Sequence, residues 1–243
     1  MSPEDMTILL VDDEPDIVDA TSVAFELVDF NVITANGGRE AWDILNKKTV
    51  DLIITDVRMP DGTGLELLDN VKSKNLYFPE VILTTGYADF SVEEIFEKGA
   101  DGLFWKPFDT KAIIKEVENR LLSESELLSV EPSSAPSRQI SLQIDSINEV
   151  GSTSKIKFAR GGFYCSMEKD FPENGSLLNF EIAIEDSNPV SKLLGVGKVR
   201  WIRNERGALP LGIGVEVLYL ESNCRKPYLD YIKSQNIKAY IPR

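Results

Sequence analysis

Apolar and polar positions along this chain fall into two textures. Up to about residue 122, short near-continuous apolar runs alternate with segments of helical spacing. TILLV (7–11), NVITA (31–35), DLIITD (51–56), EVILTT (80–85) and GLFW (102–105) read as strands, and runs of this kind suit strands covered on both faces. Between them 15–28, 38–48, 65–75 and 90–98 read as helices, and 109–122 follows the last strand. This alternation predicts a doubly wound α/β fold with a parallel five-stranded sheet.

The segment SESELLSVEPSSAPSR (123–138) is rich in Ser, carries Pro132 and Pro136, and reads as a linker. Ile114, Val117, Leu121 and Leu128 keep helical spacing, so the preceding helix can run on into it. From 139 to 243 the texture changes. ISLQIDSI, TSKIKFA, FYCSM, LLNFEIAI, LGVGKVRWIR and LGIGVEVLYL alternate or run apolar between Gly-rich turns. They predict a small antiparallel β domain, sandwich or barrel, closed by a short helix over 223–235. The chain thus divides into 1–122, a linker 123–138, and 139–243.

Composition adds exclusions. Apolar residues make up 42% and charged residues 27%, the profile of a soluble globular protein. The N-terminal MSPEDMTILLV has acids where a signal peptide needs positive charge, and no run approaches a membrane span. Cys165 and Cys224 are too few for a disulfide framework, so the expectation is a cytoplasmic, reducing setting with both cysteines structural. There is no histidine, which excludes His-ligated zinc, Ser-His or Cys-His catalysis, and a phosphohistidine within this chain.

The net charge of −14 is unevenly spread. Residues 1–125 hold 11 Lys+Arg and 26 Asp+Glu, or −15; residues 126–243 hold 15 and 14, or +1. That break fits two domains with different partners, and the acidic half is unsuited to nucleic acid.

In a doubly wound sheet, sites form outside the carboxyl ends of the strands. The chemistry-bearing residues stand there. LLVDDEP ends the first strand in Asp12-Asp13, the third ends in Asp56, the fourth in Thr84-Thr85, and the fifth runs into Lys106-Pro107. Crowded carboxylates repel unless a cation or a proton lies between them. A hard cation such as Mg²⁺ binds through a few carboxylates and keeps several waters, and Asp12, Asp13 and Asp56 supply such a set. With the repulsion neutralised, Asp56 becomes a nucleophile toward a phosphoryl group. Lys106 can pair with a phosphoryl oxygen and the Thr84 hydroxyl can hydrogen-bond another. Singly, each residue also has a structural use: Asp12 or Asp13 can cap a helix that starts at Pro15, and Asp56 can cap the turn into MPDGTG. Jointly, at the ends of the correct strands, they indicate a metal-assisted phosphoryl site.

Over residues 5–122 the motifs LLVDDEP, IITDVRMPDGTG, ILTTGY and FWKPF resemble the response regulator receiver family. The resemblance implies a flavodoxin-like fold in which Asp56 accepts phosphate from a phosphohistidine on a sensor histidine kinase or phosphotransfer protein. It implies Mg²⁺ held by Asp13 and Asp56, by Asp12 through water, and by the Arg58 backbone carbonyl. Thr84 would swing toward the phosphate and Lys106 would contact it. The family often places Tyr or Phe three residues before the lysine as an aromatic switch. Leu103 stands there in this chain, followed by Phe104 and Trp105, so the usual readout is absent or altered.

In the second half, KFARGGFYC (157–165), GVGKVRWIR (195–203) and PLGIGVEV (210–217) resemble the PilZ family over about 138–236. Members that bind cyclic di-guanylate use an R-x-x-x-R segment and a [D/N]-x-S-x-x-G turn, because arginine forks pair with phosphates and guanine edges. This chain keeps Gly162 but has Lys157 at the acidic position and Ala159 at the serine. Leu142 stands where a second arginine would follow Arg138, so the nucleotide site is degraded. Lys155, Lys157 and Arg160 form a basic cluster able to offer phosphate or partner contacts in another arrangement; solvated barrel residues are the plainer reading. Arg200, Arg203 and Arg206 read as solvated too, with strand alternation setting Arg200 opposite Val199 and Trp201, and Trp201 in the core.

The leading expectation is a response regulator, without separate enzymatic output, that signals through a PilZ-like protein-interaction domain in motility, polarity or envelope signalling. The alternative is a phosphorylation-controlled cyclic di-guanylate effector. A transcription regulator ranks last, since the β-rich half lacks a helix-turn-helix pattern. The downstream partner is unnamed and homodimer formation is left open.

Overall fold

A computed structural model describes residues 2–86, 92–122, 124–144, 156–184, 192–204 and 210–235. The chain forms two units, Met1–Leu122 and Ser123–Arg243.

The first unit alternates strand and helix in the order β1 (Thr7–Val11), α1 (Pro15–Glu26), β2 (Asn31–Ala35), α2 (Gly38–Leu45), β3 (Leu52–Asp56), α3 (Gly64–Lys74), β4 (Glu80–Thr85), α4 (Val92–Glu97), β5 (Gly102–Trp105) and α5 (Thr110–Arg120). All strands are parallel, ordered β2-β1-β3-β4-β5. Every residue of β3 is buried, as expected of a central strand covered on both faces. Ile8, Leu10, Leu52, Ile54 and Ile82 pack on Phe25 of α1 and on Ile113 and Val117 of α5. Residues 87–91, which include the first two positions of the helix expected over 90–98, lie outside the described residues.

Helix starts follow local chemistry. Pro15 occupies the first turn of α1, where its missing N–H costs nothing. Thr63 and Glu66 form a reciprocal capping box at the head of α3. Gly64 is required there: a Cβ would stand 2.2 Å from the Asp56 carbonyl oxygen. The loop after Asp56 thus folds back tightly on the strand that carries it.

The second unit holds α6 (Glu124–Leu127), β6 (Arg138–Ile144), β7 (Ile156–Ala159), β8 (Gly162–Ser166), β9 (Leu177–Ile184), β10 (Lys192–Arg203), β11 (Gly212–Leu220) and α7 (Ser222–Ser234). Its sheet runs β6-β9-β10-β11-β8-β7. Two expectations change here. The sheet is not wholly antiparallel, because β6 pairs with β9 in parallel. Nor does any described pairing join β6 to β7 and close a barrel. Both end strands nevertheless feed one core, Ile140 and Ile144 from β6 and Ile156 and Phe158 from β7, so the sheet curls around it. Cys224, Tyr228 and Ile232 of α7 join that core.

The linker expectation also shifts. Helix α5 ends at Arg120, and Leu128 is buried in the core of the second unit, with its carbonyl accepting from Leu220 N–H at 3.0 Å. Helical spacing across 114–128 was a coincidence of two elements. Arg138 opens β6 rather than closing a linker.

Candidate functional site: a strand-end acidic pocket

Strands β1 and β3 are neighbours, and their connections leave to opposite sides of the sheet. That switch point brings Asp12 and Asp13, just past β1, against Asp56, the last residue of β3. One carboxylate oxygen from each lies within 4.8 Å of the others. Asp12 and Asp56 are buried and Asp13 is exposed, an open arrangement for a cation that keeps water. Lys106 enters from the end of β5. Its Nζ donates to Asp12 Oδ2 at 2.7 Å and stands 3.3 Å from Asp56 Oδ1 and 3.6 Å from Glu14 Oε1. Backbone groups fix the acids: Glu14 N–H donates to Asp12 Oδ1 at 3.1 Å and Arg58 N–H to Asp56 Oδ2 at 3.2 Å. The cavity above them, about 750 Å³, is lined by Asp13, Glu14, Asp56, Arg58, Thr63, Gly86 and Lys106 among others.

Electrostatics explain the poise of the site. Burial pushes the Asp56 carboxyl above its ordinary range; Lys106 opposes this and the neighbouring Asp12 charge adds to it. For Lys106, burial works against the charged form, but the hydrogen bond to Asp12 and the charges of Asp12 and Asp56 outweigh it, so its pKa is raised. Three carboxylates, those of Asp12, Glu14 and Asp56, thus surround one ammonium. The residue set fits a divalent cation, with Asp12, Asp13 and Asp56 to hold it and Arg58 on the same wall.

The expectation for Thr84 needs correction. Thr84 pairs in register with Phe104, whose ring packs on the α1/α5 core, and its side chain lines a space of about 20 Å³ with Leu10, Ile54 and Phe108. It is absent from the acidic pocket. Thr85 is next along β4, in register with Trp105 and on the face that Leu83 shares with Leu103. Its carbonyl accepts from Lys106 N–H at 2.7 Å, and its successor Gly86 lines the pocket. The sequence alone does not separate the two hydroxyls, because which of them shares a face with position 103 is set by the β4–β5 register.

The basic residues of the second unit do not form a comparable site. Arg138 donates from Nη1 to the Asp170 carbonyl. Lys157 and Arg160 lie on the β7–β8 hairpin, Arg160 buried and Lys157 half-buried, while Lys155 and Arg206 lie outside the described residues. Gly162 opens β8, with its carbonyl facing the Tyr228 hydroxyl at 3.4 Å. Arg138 on β6 and the β7–β8 hairpin stand at opposite ends of the strand order. Arg200 is not solvated: its Nε donates to Glu216 Oε2 at 2.6 Å, and Glu216 is buried. Nor is Trp201 in the core. A bulge between Val199 and Trp201 breaks the alternation, and the indole stacks on Tyr164 (centroids 5.3 Å, planes 13° apart) above Gly214. Cys165 and Cys224 are buried free thiols.

The family model for the response regulator receiver domain matches residues 8–118. The response regulator SaeR of Staphylococcus aureus is 31% identical over 114 residues, which is 47% of this chain and 50% of SaeR. The chain spans about half the length of the curated relatives it matches. Among solved structures, chemotaxis response regulator CheY4 of Vibrio cholerae aligns at 30% identity and a TM-score of 0.42, over 48% of this chain and 98% of its own. TrrA of Thermotoga maritima, solved in complex with Mg²⁺-BeF, aligns at 29% and 0.44, over 48% and 99%. Among the described residues no helix is long and apolar enough to cross a membrane. The acids at the β1 and β3 ends, the lysine after β5 and the matched family model agree: residues 8–118 are a response regulator receiver domain.

Proposed function

We propose that the protein is a phosphorylation-controlled signalling regulator whose acceptor is Asp56. What carries this reading is the cluster of Asp12, Asp13 and Asp56 at the strand ends, with the Lys106 ammonium set on Asp12 and Asp56. An Asp56 carboxylate oxygen attacks the phosphorus of a phosphohistidine on a histidine kinase or phosphotransfer protein. The P–O bond to Asp56 forms, the P–N bond breaks, and the histidine leaves. Asp12, Asp13, Asp56 and the Arg58 carbonyl hold Mg²⁺, which neutralises charge on the transferring group. Lys106 pairs with one phosphoryl oxygen, and Thr85, in place of Thr84, offers its hydroxyl to another.

The second unit is the output, a PilZ-like module that engages a protein partner and carries no catalysis of its own. Lys192, Arg200 and Lys226 are spent on internal pairs with Glu181, Glu216 and Asp230, which favours a protein surface over a nucleotide pocket. The protein works in the cytoplasm, in bacterial motility, polarity or envelope signalling. The test is acetyl phosphate with Mg²⁺, followed by intact mass. One phosphoryl group is expected on the wild type and none on Asp56→Ala; labelling that persists in the variant sinks the assignment.

A further inference from the structure

Helix α2 starts without a cap of its own. Its N-cap position is Gly37, which has no side chain to accept from the helix's first N–H groups. Glu40 supplies the reach-back half of a capping box, its Oε2 accepting from Asn36 N–H at 2.8 Å, and the other half is missing. The acceptor comes from elsewhere in the chain. Asp61, in the loop between β3 and α3, takes the Gly38 N–H on its Oδ1 at 3.1 Å. A carboxylate there also meets the positive end of the helix dipole.

Two glycines make room for it. Gly37 has a φ of 173°, extended backbone that any residue adopts, so conformation does not demand glycine. Space does: a Cβ at Gly37 would stand 1.9 Å from Asp61 Oδ1, and one at Gly38 2.5 Å from the Gly62 carbonyl oxygen. Both glycines are buried and Asp61 is half-buried. The head of α2 is therefore shaped to receive this loop, and an ordinary capping side chain at position 37 would displace Asp61.

What the loop carries gives the contact its meaning. Arg58, three residues before Asp61, lines the acidic pocket, and its N–H donates to Asp56 Oδ2 at 3.2 Å. On the other side Ala35, two residues before Gly37, accepts from Asp12 N–H at 3.2 Å. The bond from Gly38 to Asp61 thus closes a circuit between two strand ends. One brings Asp12 and Asp13, the other Asp56 and Arg58. The bonds from Arg58 N–H to Asp56 and from Gly64 N–H to the Val57 carbonyl act within the stretch after β3, whereas Asp61 ties that stretch across to α2.

We propose that Asp61 is a positioning residue for the divalent cation: by capping α2 from another loop, it holds the Arg58 carbonyl in place against Asp12, Asp13 and Asp56. Asp61 does not line the acidic pocket and is not a ligand. The proposal rests on the reading of those acids as a cation site.

In the experiment full-length protein is titrated with Mn²⁺, free ion being counted by electron paramagnetic resonance, and melting is recorded without metal. The variants are Asp61→Ala, Asp61→Asn and the double change Gly37→Asn with Asp61→Ala, which caps α2 from its own N-cap and leaves the loop untied. Groups that orient metal ligands are worth roughly 10–100-fold in affinity, so Asp61→Ala is expected to bind Mn²⁺ about tenfold more weakly. Asp61→Asn keeps an acceptor oxygen and should bind as the wild type does. The double variant should regain the melting temperature lost in Asp61→Ala, but not the affinity. Undiminished affinity in Asp61→Ala overturns the proposal. An Asp61→Asn as weak as Asp61→Ala does so too, because the effect would then be one of charge. Affinity that returns in the double variant reduces Asp61 to a helix cap and equally overturns it. Wild type that takes up no Mn²⁺, or Asp13→Asn that takes up as much as the wild type, overturns the cation reading beneath it.

Discussion

The two units treat charge in opposite ways. In the receiver, a parallel sheet sends every strand's carboxyl end to one edge, so Asp12, Asp13, Asp56 and Lys106 converge although 94 residues separate the first from the last. In the second unit, antiparallel neighbours send successive ends to opposite edges, and charges meet across strands in pairs. Arg200 holds Glu216, Lys192 holds Glu181, and Lys226 holds Asp230 along α7. Pairing leaves little unmet demand; convergence leaves an excess of carboxylates that only a ligand can satisfy. Unbalanced charge at a strand-end switch point therefore marks the site here better than the number of charged residues does.

The largest effect that tests this contrast lies within the receiver, away from the pocket. Lys72 and Asp101 form a buried ion pair at 2.6 Å; Lys72 also donates to the Pro79 carbonyl, and Asp101 accepts from Val81 N–H. Balanced charge of this kind should be structural. Lys72→Met should cost about 3–5 kcal/mol in urea unfolding, because it strands a buried carboxylate. A neutral result would mean that the receiver tolerates unbalanced buried charge anywhere, and the acidic pocket would lose its significance. Next in size, Gly214→Ala in the second unit places a Cβ 2.1 Å from the Trp201 indole. Overpacking should cost roughly 1–3 kcal/mol and alter the near-ultraviolet dichroism of the Tyr164–Trp201 stack.

The pocket should behave the other way. Because burial raises the Asp56 pKa, its ionised form is the costly one in the fold. The cost is fully present above the folded-state pKa and is relieved as pH falls through it. Asp56→Asn should therefore stabilise the metal-free protein at neutral pH by roughly 1 kcal/mol, a melting shift of a few degrees. Acidification should shrink the difference, and Mg²⁺ should raise the melting point of the wild type more than that of the variant. Equal response to Mg²⁺ would remove Asp56 from the ligand set.

Much of the receiver was legible because each signal there is local: apolar run length gave the strands, and strand ends gave the acids and Lys106. The choice between Thr84 and Thr85 was not, since adjacent hydroxyls differ only in the face they take, and that depends on register with Phe104 and Trp105. In the second unit the strands were legible and their pairing was not. The parallel β6–β9 contact joins segments about forty residues apart, and nothing in either segment names its partner. The misplacement of Trp201 comes from the bulge after Val199, which period-two alternation cannot anticipate, whereas Arg200 keeps the face opposite Val199 and only its partner there, Glu216, was not legible. Leu128 misled for the converse reason, fitting the stripe of a helix that had already ended.

The smallest effect expected is a null. Calorimetric titration of cyclic di-guanylate into the full-length protein should give no heat, with or without beryllofluoride and Mg²⁺. Recognition of that ligand needs arginine forks free to pair with phosphates and guanine edges. Here Arg138 gives an Nη1 hydrogen to the Asp170 carbonyl, Arg200 is committed to Glu216, and Arg160 is buried. Binding would have to break such contacts before making new ones, and each charge-assisted bond lost offsets one gained. Micromolar affinity would therefore break the comparison outright: the second unit would hold ligand-directed charge that its paired, folded arrangement conceals. Lys157→Ala, on the half-buried hairpin position, would then be the first variant to separate the hairpin from the rest of the sheet as the source of that affinity.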